Sequence, residues 1–435
     1  MPMTAGRNVK RTRMRHLPSL ARGLLLAALA VVSAQQSNAQ SLFSCSDLER
    51  AAVPMIEGRD GTFFRTIPDL DMNTRIPNAE IAHIGTLSDA LASRGTKLVY
   101  VPIPTKAMSM PTALGPDAVK YGYDVRLARA LYADSVVALR ARGVTVVDAV
   151  PALHSSTGAM ASHFGTDPRL TDVGLQRLAA ATATELGEAF RGDLTFETTS
   201  GRDAPLESPD RFELQLSCQA EIPEIFTKEF RTAQKAKSSP EKAYQPVAVV
   251  GTRLTGGQER HFPGFMSHAL GRPVETESVA DNPHAALSRY LTSGQYEQER
   301  PEVLIWMVPI WANPSQFGDQ PYRELIAAAA NNCGHELTVH GDMSLRFYLS
   351  AGAARASNTL VLESEGAVSE AVFTFESADG QIRTRSVFRR DHGVATSKVY
   401  LPLSGLWEDE DLAVQVQTNL GPTAPLRLSV CRGQS

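Results

Sequence analysis

Between residues 79 and 332, short apolar runs alternate with stretches of helical spacing, and beyond Cys333 that alternation stops. This switch constrains the fold more than any other feature of the chain. Lys97–Ile103, Val144–Asp148, Pro246–Gly251 and Glu302–Trp306 are short and largely apolar, as strands covered on both faces are. Helical spacing occupies Ala79–Ser93, Asp124–Arg142 and Asp172–Phe190, with Thr171 placed to cap the last of these. Strands alternating with helices predict an α/β domain of three layers, a parallel sheet with helices on both sides. After Cys333, seven short segments beginning near Glu336, Leu345, Asn358, Ala371, Val399, Leu412 and Leu426 alternate or run apolar between Gly- and Asp-rich turns. That pattern predicts a β-sandwich. The expected organisation is an α/β domain over residues 45–332 and a β-sandwich over 333–435. The polar stretch 191–245, with Gly201, Pro205, Pro209 and the run Lys235–Pro240, breaks the rhythm and reads as an insertion or cap.

Residues 1–39 read as a cleavable export signal. Residues 1–22 carry Arg7, Lys10, Arg11, Arg13, Arg15 and Arg22 and no acid, and Gly23–Ala34 is a short apolar run. Ser37 with Ala39, or Val32 with Ala34, supplies the small residues of a cleavage site. The apolar run is about a dozen residues, short of the ~20 that a membrane-spanning helix needs. No other run suggests a stable membrane span. The mature chain is expected to begin near Gln40, in the periplasm. Losing six basic residues takes the formal charge from −4 to about −10. So acidic a chain argues against a nucleic-acid partner. It suits a polyanionic ligand only if a local cationic pocket exists.

The four cysteines are Cys45, Cys218, Cys333 and Cys431. An even count in an exported chain points to disulfides. Three pairings are open. Cys45–Cys218 with Cys333–Cys431 is favoured because each pair then brackets one compact region. None of the four sits in C-x-x-C or metal-like spacing, so no metal and no cofactor are expected.

Sites in parallel α/β sheets lie at the carboxyl ends of the strands. Three segments occupy such positions: Val250–Arg253, His163–Gly174 and Tyr100–Lys106. Several motifs in and around them are similar to those of a known family. Glu57–Arg65 is similar to that family's opening segment, with Thr62 where Trp is usual. Val101-Pro-Ile-Pro-Thr-Lys106 resembles its "VPIPT+" strand end, and Tyr123-Asp124 its Tyr-Asp pair. Pro301–Trp306 resembles its "PKxxIWE" strand, with Met307 where Glu is usual. By these motifs the chain resembles the periplasmic alginate O-acetyltransferase family, an SGNH-hydrolase-like domain followed in one branch by a carbohydrate-binding β-domain. The resemblance runs from Cys45 to Cys431, and the cysteines fall where the two-domain branch has its two bridges.

The resemblance implies a triad: a Ser in a Gly-Thr-Ser turn, and the Asp and His of an Asp-x-His pair. The serine would attack an acetyl carbonyl, the histidine would take its proton, and the aspartate would orient the imidazole. Carried onto this chain, the aspartate falls on Asp167, the histidine on Arg169 and the serine on Arg253. Arginine has no nucleophilic oxygen, and with a pKa above ~12 it is no base at neutral pH. Loss of such a nucleophile costs about 10⁶ in turnover. The expected site is therefore a catalytically degenerate one. Two uses of the arginines are open. Arg169 and Arg253, with Lys106 joining, could grip a sugar carboxylate. Alternatively, one arginine bridges Asp167 and fills the pocket, and Lys106 is a solvated side chain. A displaced active triad would have to draw on Thr252, Thr255, Ser267 or His163.

Other candidates carry less. His163, His268 and His284 read as structural histidines, and Asp60-Gly61 as a hairpin turn. In the β-domain, Phe347, Tyr348, Trp407, Arg389, Arg390 and His392 could present an aromatic and basic sugar face, although strand aromatics are usually core. The function expected is participation in O-acetylation of an exported polysaccharide, as a binding or accessory protein. The expected partners are an acidic or acetylated exopolysaccharide and other periplasmic modification proteins. The alternatives are an active O-acetyltransferase or esterase with rearranged residues, and a non-catalytic scaffold of the secretion machine.

Overall fold

The computed structural model describes residues 41–235, 244–252, 260–280, 282–312, 320–330, 337–338, 340–341, 346–389, 394–407, 410–420 and 425–431. The expected export signal, the 332/333 boundary, Arg253, Thr255, Cys333, Arg390 and His392 lie outside these residues.

A small antiparallel hairpin opens the described chain, β1 (Met55–Glu57) with β2 (Phe63–Arg65). Its turn places Asp60 and Gly61 at positive φ, 54° and 65°, as a tight hairpin demands. The central sheet runs in the order β4 (Thr145–Val146), β3 (Lys97–Ile103), β9 (Val303–Pro309), β7 (Val247–Thr252) and β8 (Val274–Ala280). Every neighbouring pair is parallel. The two-residue period of the strands splits their side chains between two cores. Leu98, Tyr100, Val250, Leu304 and Trp306 face one side. Val99, Val101, Val249, Ile305 and Met307 face the other. Helices α1 (Asn78–Ser93) and α2 (Val125–Ala141) cover the first side, and α3 (Asp172–Leu186) the second. Each of these fully buried aliphatic side chains is worth about 1.5–3 kcal/mol, so truncating Ile305 to alanine would cost about 2–5 kcal/mol. The expected Thr171 cap is formed, its hydroxyl accepting from Gly174 N at 3.1 Å.

The stretch 191–245 contains a two-stranded antiparallel ribbon, β5 (Phe196–Pro205) and β6 (Phe226–Gln234), and a helix, α4 (Pro209–Ser217). A Cys45–Cys218 disulfide ties the end of α4 to the start of the described chain. The next helices are α5 (Phe262–Leu270), on the side of α3, and α6 (Pro283–Thr292) and α7 (Gln320–Ala329), on the side of α1.

The C-terminal strands form two antiparallel sheets around one apolar core. The first runs β10 (Leu337–Thr338), β18 (Leu426–Cys431), β13 (Thr359–Val368), β16 (Thr396–Pro402). The second runs β11 (His340–Gly341), β12 (Arg346–Leu349), β17 (Leu412–Thr418), β14 (Glu370–Glu376), β15 (Ile382–Phe388). This is the expected sandwich. Cys431 is disulfide-bonded. Val361, Tyr400 and Cys431 pack into the core on the α1 side of the parallel sheet, so the two parts share apolar surface. Glu324 of α7 and Arg389 form a buried ion pair across the junction, with Arg389 Nε 3.1 Å from Oε2. Arg389 also donates to Val368 O, Thr396 Oγ1 and Lys398 O. Of the residues that could present a sugar face, Arg389 does not: it is 1% exposed, and its donors are spent between α7 and the sandwich. Phe347 is likewise core, at 5% exposed.

Candidate functional site

The Asp167 loop lies beyond the carboxyl end of β3, where α/β sheets hold their ligands. It is held there by backbone bonds. Phe63 N donates to Gly165 O at 2.8 Å, Phe164 N to Arg169 O at 3.2 Å, and Thr171 N to Ser162 O at 2.8 Å.

Asp167 and Arg169 form a closed pair. Arg169 Nε donates to Oδ1 at 2.8 Å and Nη2 to Oδ2 at 2.7 Å, while the Arg169 backbone N also donates to Oδ1 at 2.8 Å. Nη2 also donates to Glu207 O at 2.6 Å. The side chains are 2% and 16% exposed. Burial alone would raise the Asp167 carboxyl, but hydrogen bonds from Arg169 and Ser208, with the Arg169 charge, hold it below the ordinary aspartate value. Glu207 and Ser208 come from the 191–245 stretch, immediately before α4. Two residues on, Asp210 pairs with Arg65, whose Nε lies 2.6 Å from Oδ2. The 191–245 stretch therefore closes over the Asp167 carboxylate, and the Cys45–Cys218 disulfide fixes the far end of α4.

Lys106 does not meet the expectation of a ligand-facing or solvated lysine. It is 2% exposed, and Nζ donates to Phe63 O at 2.7 Å, Gly165 O at 2.8 Å and Asp167 O at 3.3 Å. Its three donors are consumed, which leaves none for a sugar carboxylate. Burial pushes its pKa down to about 8, opposed by Asp69, Asp167 and Asp210. Asp69 is the buried counter-charge; its Oδ1 accepts from Lys106 N at 3.1 Å and its Oδ2 from Arg65 N at 3.0 Å. The lysine thus pins the opening hairpin and the Asp167 loop to the end of β3.

Arg253 lies outside the described residues. β7 ends at Thr252, which is 1% exposed. Arg260 donates to Leu170 O at 2.6 Å and Thr227 Oγ1 at 2.8 Å, and lies 3.4 Å from Asp172. Among the described substitutes for a displaced triad, Ser267 accepts from Val274 N and donates to Pro263 O inside α5. His163 is 1% exposed; its Nδ1 is 3.0 Å from Ser162 Oγ, which is 2.9 Å from Ser155 Oγ. Burial, with the Lys106 charge, pushes the His163 pKa down to about 3, too low for a base at neutral pH. His268 is bonded to Thr198 on the ribbon, 3.0 Å away, and His284 packs edge-on to Trp306 and Tyr322. Among the described residues, no group of three or more His, Cys, Asp or Glu is arranged to hold a metal.

Sequence reasoning missed Arg260, Asp69, Asp210 and Ser208. Ser208-Pro209 before a short amphipathic stretch does read as a helix start, but nothing local ties it to Asp167. In the β-domain, Tyr348 is exposed and Trp407 lies 4.2 Å beneath Arg383, a residue not anticipated.

A family model described as an SGNH hydrolase-like domain, acetyltransferase AlgX, matches residues 55–310. The alginate biosynthesis protein AlgX of Pseudomonas aeruginosa is 24% identical over 295 residues, covering 66% of this chain and 61% of that protein. The chain therefore spans about three fifths of that relative's length (61%). The protein of the same name from Azotobacter vinelandii is 26% identical over 361 residues, 75% of this chain and 73% of the relative. Among solved structures, Pseudomonas aeruginosa AlgX superposes with a TM-score of 0.71 at 21% identity, over 88% of this chain and 95% of that chain, a likeness of fold. Because the matched span is more than half of the sequence, the chain belongs to the AlgX family of SGNH hydrolase-like domains.

Proposed function

We propose that this protein is a non-catalytic, polysaccharide-binding component of a periplasmic exopolysaccharide O-acetylation machine, alginate-like in type. The names of its relatives supply the pathway: they are alginate biosynthesis proteins. The observation that carries the loss of catalysis is the bidentate Asp167–Arg169 pair. In an acting triad, the aspartate must hold an imidazole that accepts a proton. Here its two oxygens hold a guanidinium that cannot accept one. The geometry favours the reading in which Arg169 bridges Asp167 and fills the pocket over the one in which it grips a sugar carboxylate, since its Nη2 is already shared with Glu207 O. On the family resemblance, Arg253 occupies the nucleophile position, which compounds the loss.

Repair tests this reading. Arg253→Ser with Arg169→His should raise hydrolysis of p-nitrophenyl acetate well above that of the native protein. If a folded double variant gains nothing, the proposed correspondence of these positions to a triad is wrong.

A further inference from the structure

Helix α4 is pinned on its inner side and bare on its outer side. Asp210 and Leu214 face inward, 4% and 1% exposed. Asp210 pairs with Arg65, and Leu214 packs with Met55, Phe63, Cys218 and Ile222. At helical spacing, Pro209, Phe212 and Leu216 share the opposite face, a stripe about 10 Å long. Phe212 is 62% and Leu216 69% exposed. Large apolar side chains gathered on one bare helix face mark an interaction surface.

The stripe is framed by acids. Residues 207–224 hold Glu207, Asp210, Glu213, Glu221 and Glu224 against one base, Arg211. Asp210 is neutralised by Arg65. Among the described residues, the other carboxylates have no ion-pair partner. Glu207 precedes the helix and is exposed, and Glu213 stands at one edge of the stripe. On the other flank, Arg211 Nε donates to Ile222 O at 3.0 Å and Pro223 O at 2.8 Å, and Ile222 N donates to Gln215 Oε1 at 2.7 Å. These bonds fold residues 220–223 back along α4 and bring Glu221 and Glu224, both exposed, to that edge. The platform is also rigid. The Cys45–Cys218 disulfide holds its end, and the bonds of Glu207 O and Ser208 to Arg169 and Asp167 hold its beginning. A partner would therefore have little to order on binding.

We propose that this face of α4 docks a basic amphipathic helix of a partner protein. An apolar stripe over two turns matches partner anchors spaced i, i+3 or i+4, and i+7. Carboxylates on both edges fit lysines or arginines flanking those anchors. The same charge disfavours other occupants. An anionic lipid surface attracts basic segments, not acidic ones. An acidic polysaccharide would meet unpaired carboxylates. A second copy, packed about a two-fold axis, would set like charges against each other. Such docking rests on the reading of this protein as a machine component, and not on the loss of acetyl transfer. The esterase repair and the binding test below therefore fail independently.

Fluorescence anisotropy of a labelled Leu/Lys amphipathic helical peptide, titrated with the full chain, tests this. The peptide should bind at micromolar concentration, and a scrambled peptide of the same composition at least about tenfold more weakly. Phe212→Ser with Leu216→Ser should weaken binding at least about tenfold, as loss of central apolar anchors does, without change in circular dichroism. Glu213→Gln with Glu221→Gln leaves the stripe intact. It should weaken binding about threefold and reduce its salt dependence. The docking is overturned if the peptide fails to bind below millimolar concentration, if the scrambled peptide binds equally, or if both variants bind as the native chain does. Self-association of the chain alone, or its capture by phosphatidylglycerol vesicles, would equally overturn it where the serine variant abolishes that behaviour.

Discussion

The carboxyl end of the parallel sheet and the outer face of the C-terminal sheet both gather charged side chains, yet they use them in opposite ways. Around Asp167 the charges are turned inward. Lys106 holds three backbone carbonyls, and Arg169 holds Asp167 and Glu207. Around Tyr348 the ring is open to solvent and the Arg346–Glu376 ion pair beside it is 44% exposed on each side. Buried charges near Asp167 hold loops together, while the outer sheet face leaves its polar groups exposed.

This contrast predicts a gradient of mutational cost. Lys106→Met should be the most damaging change. It leaves Asp69 buried without its counter-charge and three carbonyls without a donor, a loss of about 3–5 kcal/mol, read as a shift in urea midpoint. A loss under ~1 kcal/mol would mean that the inward bonding is incidental. The same half should also carry a pH signature. Glu80 of α1 is 4% exposed and accepts from Tyr322 Oη at 3.1 Å; burial pushes its pKa up to about 7. Because the folded value lies above the unfolded one, its stabilising effect is complete below about pH 4.5 and is lost as pH rises through about 7. The total is on the order of 3 kcal/mol, and Glu80→Gln should flatten that slope.

Arg169→Ala should cost somewhat less, about 2–3 kcal/mol, since Ser208 and the residue 169 amide still bond Asp167. It should also raise the Asp167 pKa. In the native protein that pKa is depressed, so its contribution is present above about pH 4 and lost as pH falls through the folded value. Carboxyl carbon NMR would register the change, and an unmoved Asp167 would contradict the pairing. At the other extreme, Arg346→Ala on the open sheet should change stability by less than about 1 kcal/mol, measured in the same urea titrations.

The sequence disclosed what depends on local pattern. β3, β7 and β9 are continuous apolar runs, and Thr171 sits where a cap must. β8 escaped notice because Glu275 and Glu277 break its apolar character at the sheet edge. The ribbon in 191–245 escaped because both its strands are largely exposed and charged. The Asp167–Arg169 pair spans two residues, so its possibility was legible. Its completion by Glu207 and Ser208 was not, because those groups arrive from about 40 residues away. The same holds for Lys106 and Arg389. Composition places lysine and arginine at the surface, and only the folded chain brings the carbonyls and carboxylates that make their burial tolerable.

The central claim is that acetyl transfer has lapsed at Asp167, and turnover of the purified native protein tests it most directly. Hydrolysis of p-nitrophenyl acetate should be indistinguishable from that of Asp167→Asn and from buffer carrying an inert protein. Native turnover clearly above that background and abolished by Asp167→Asn would contradict it.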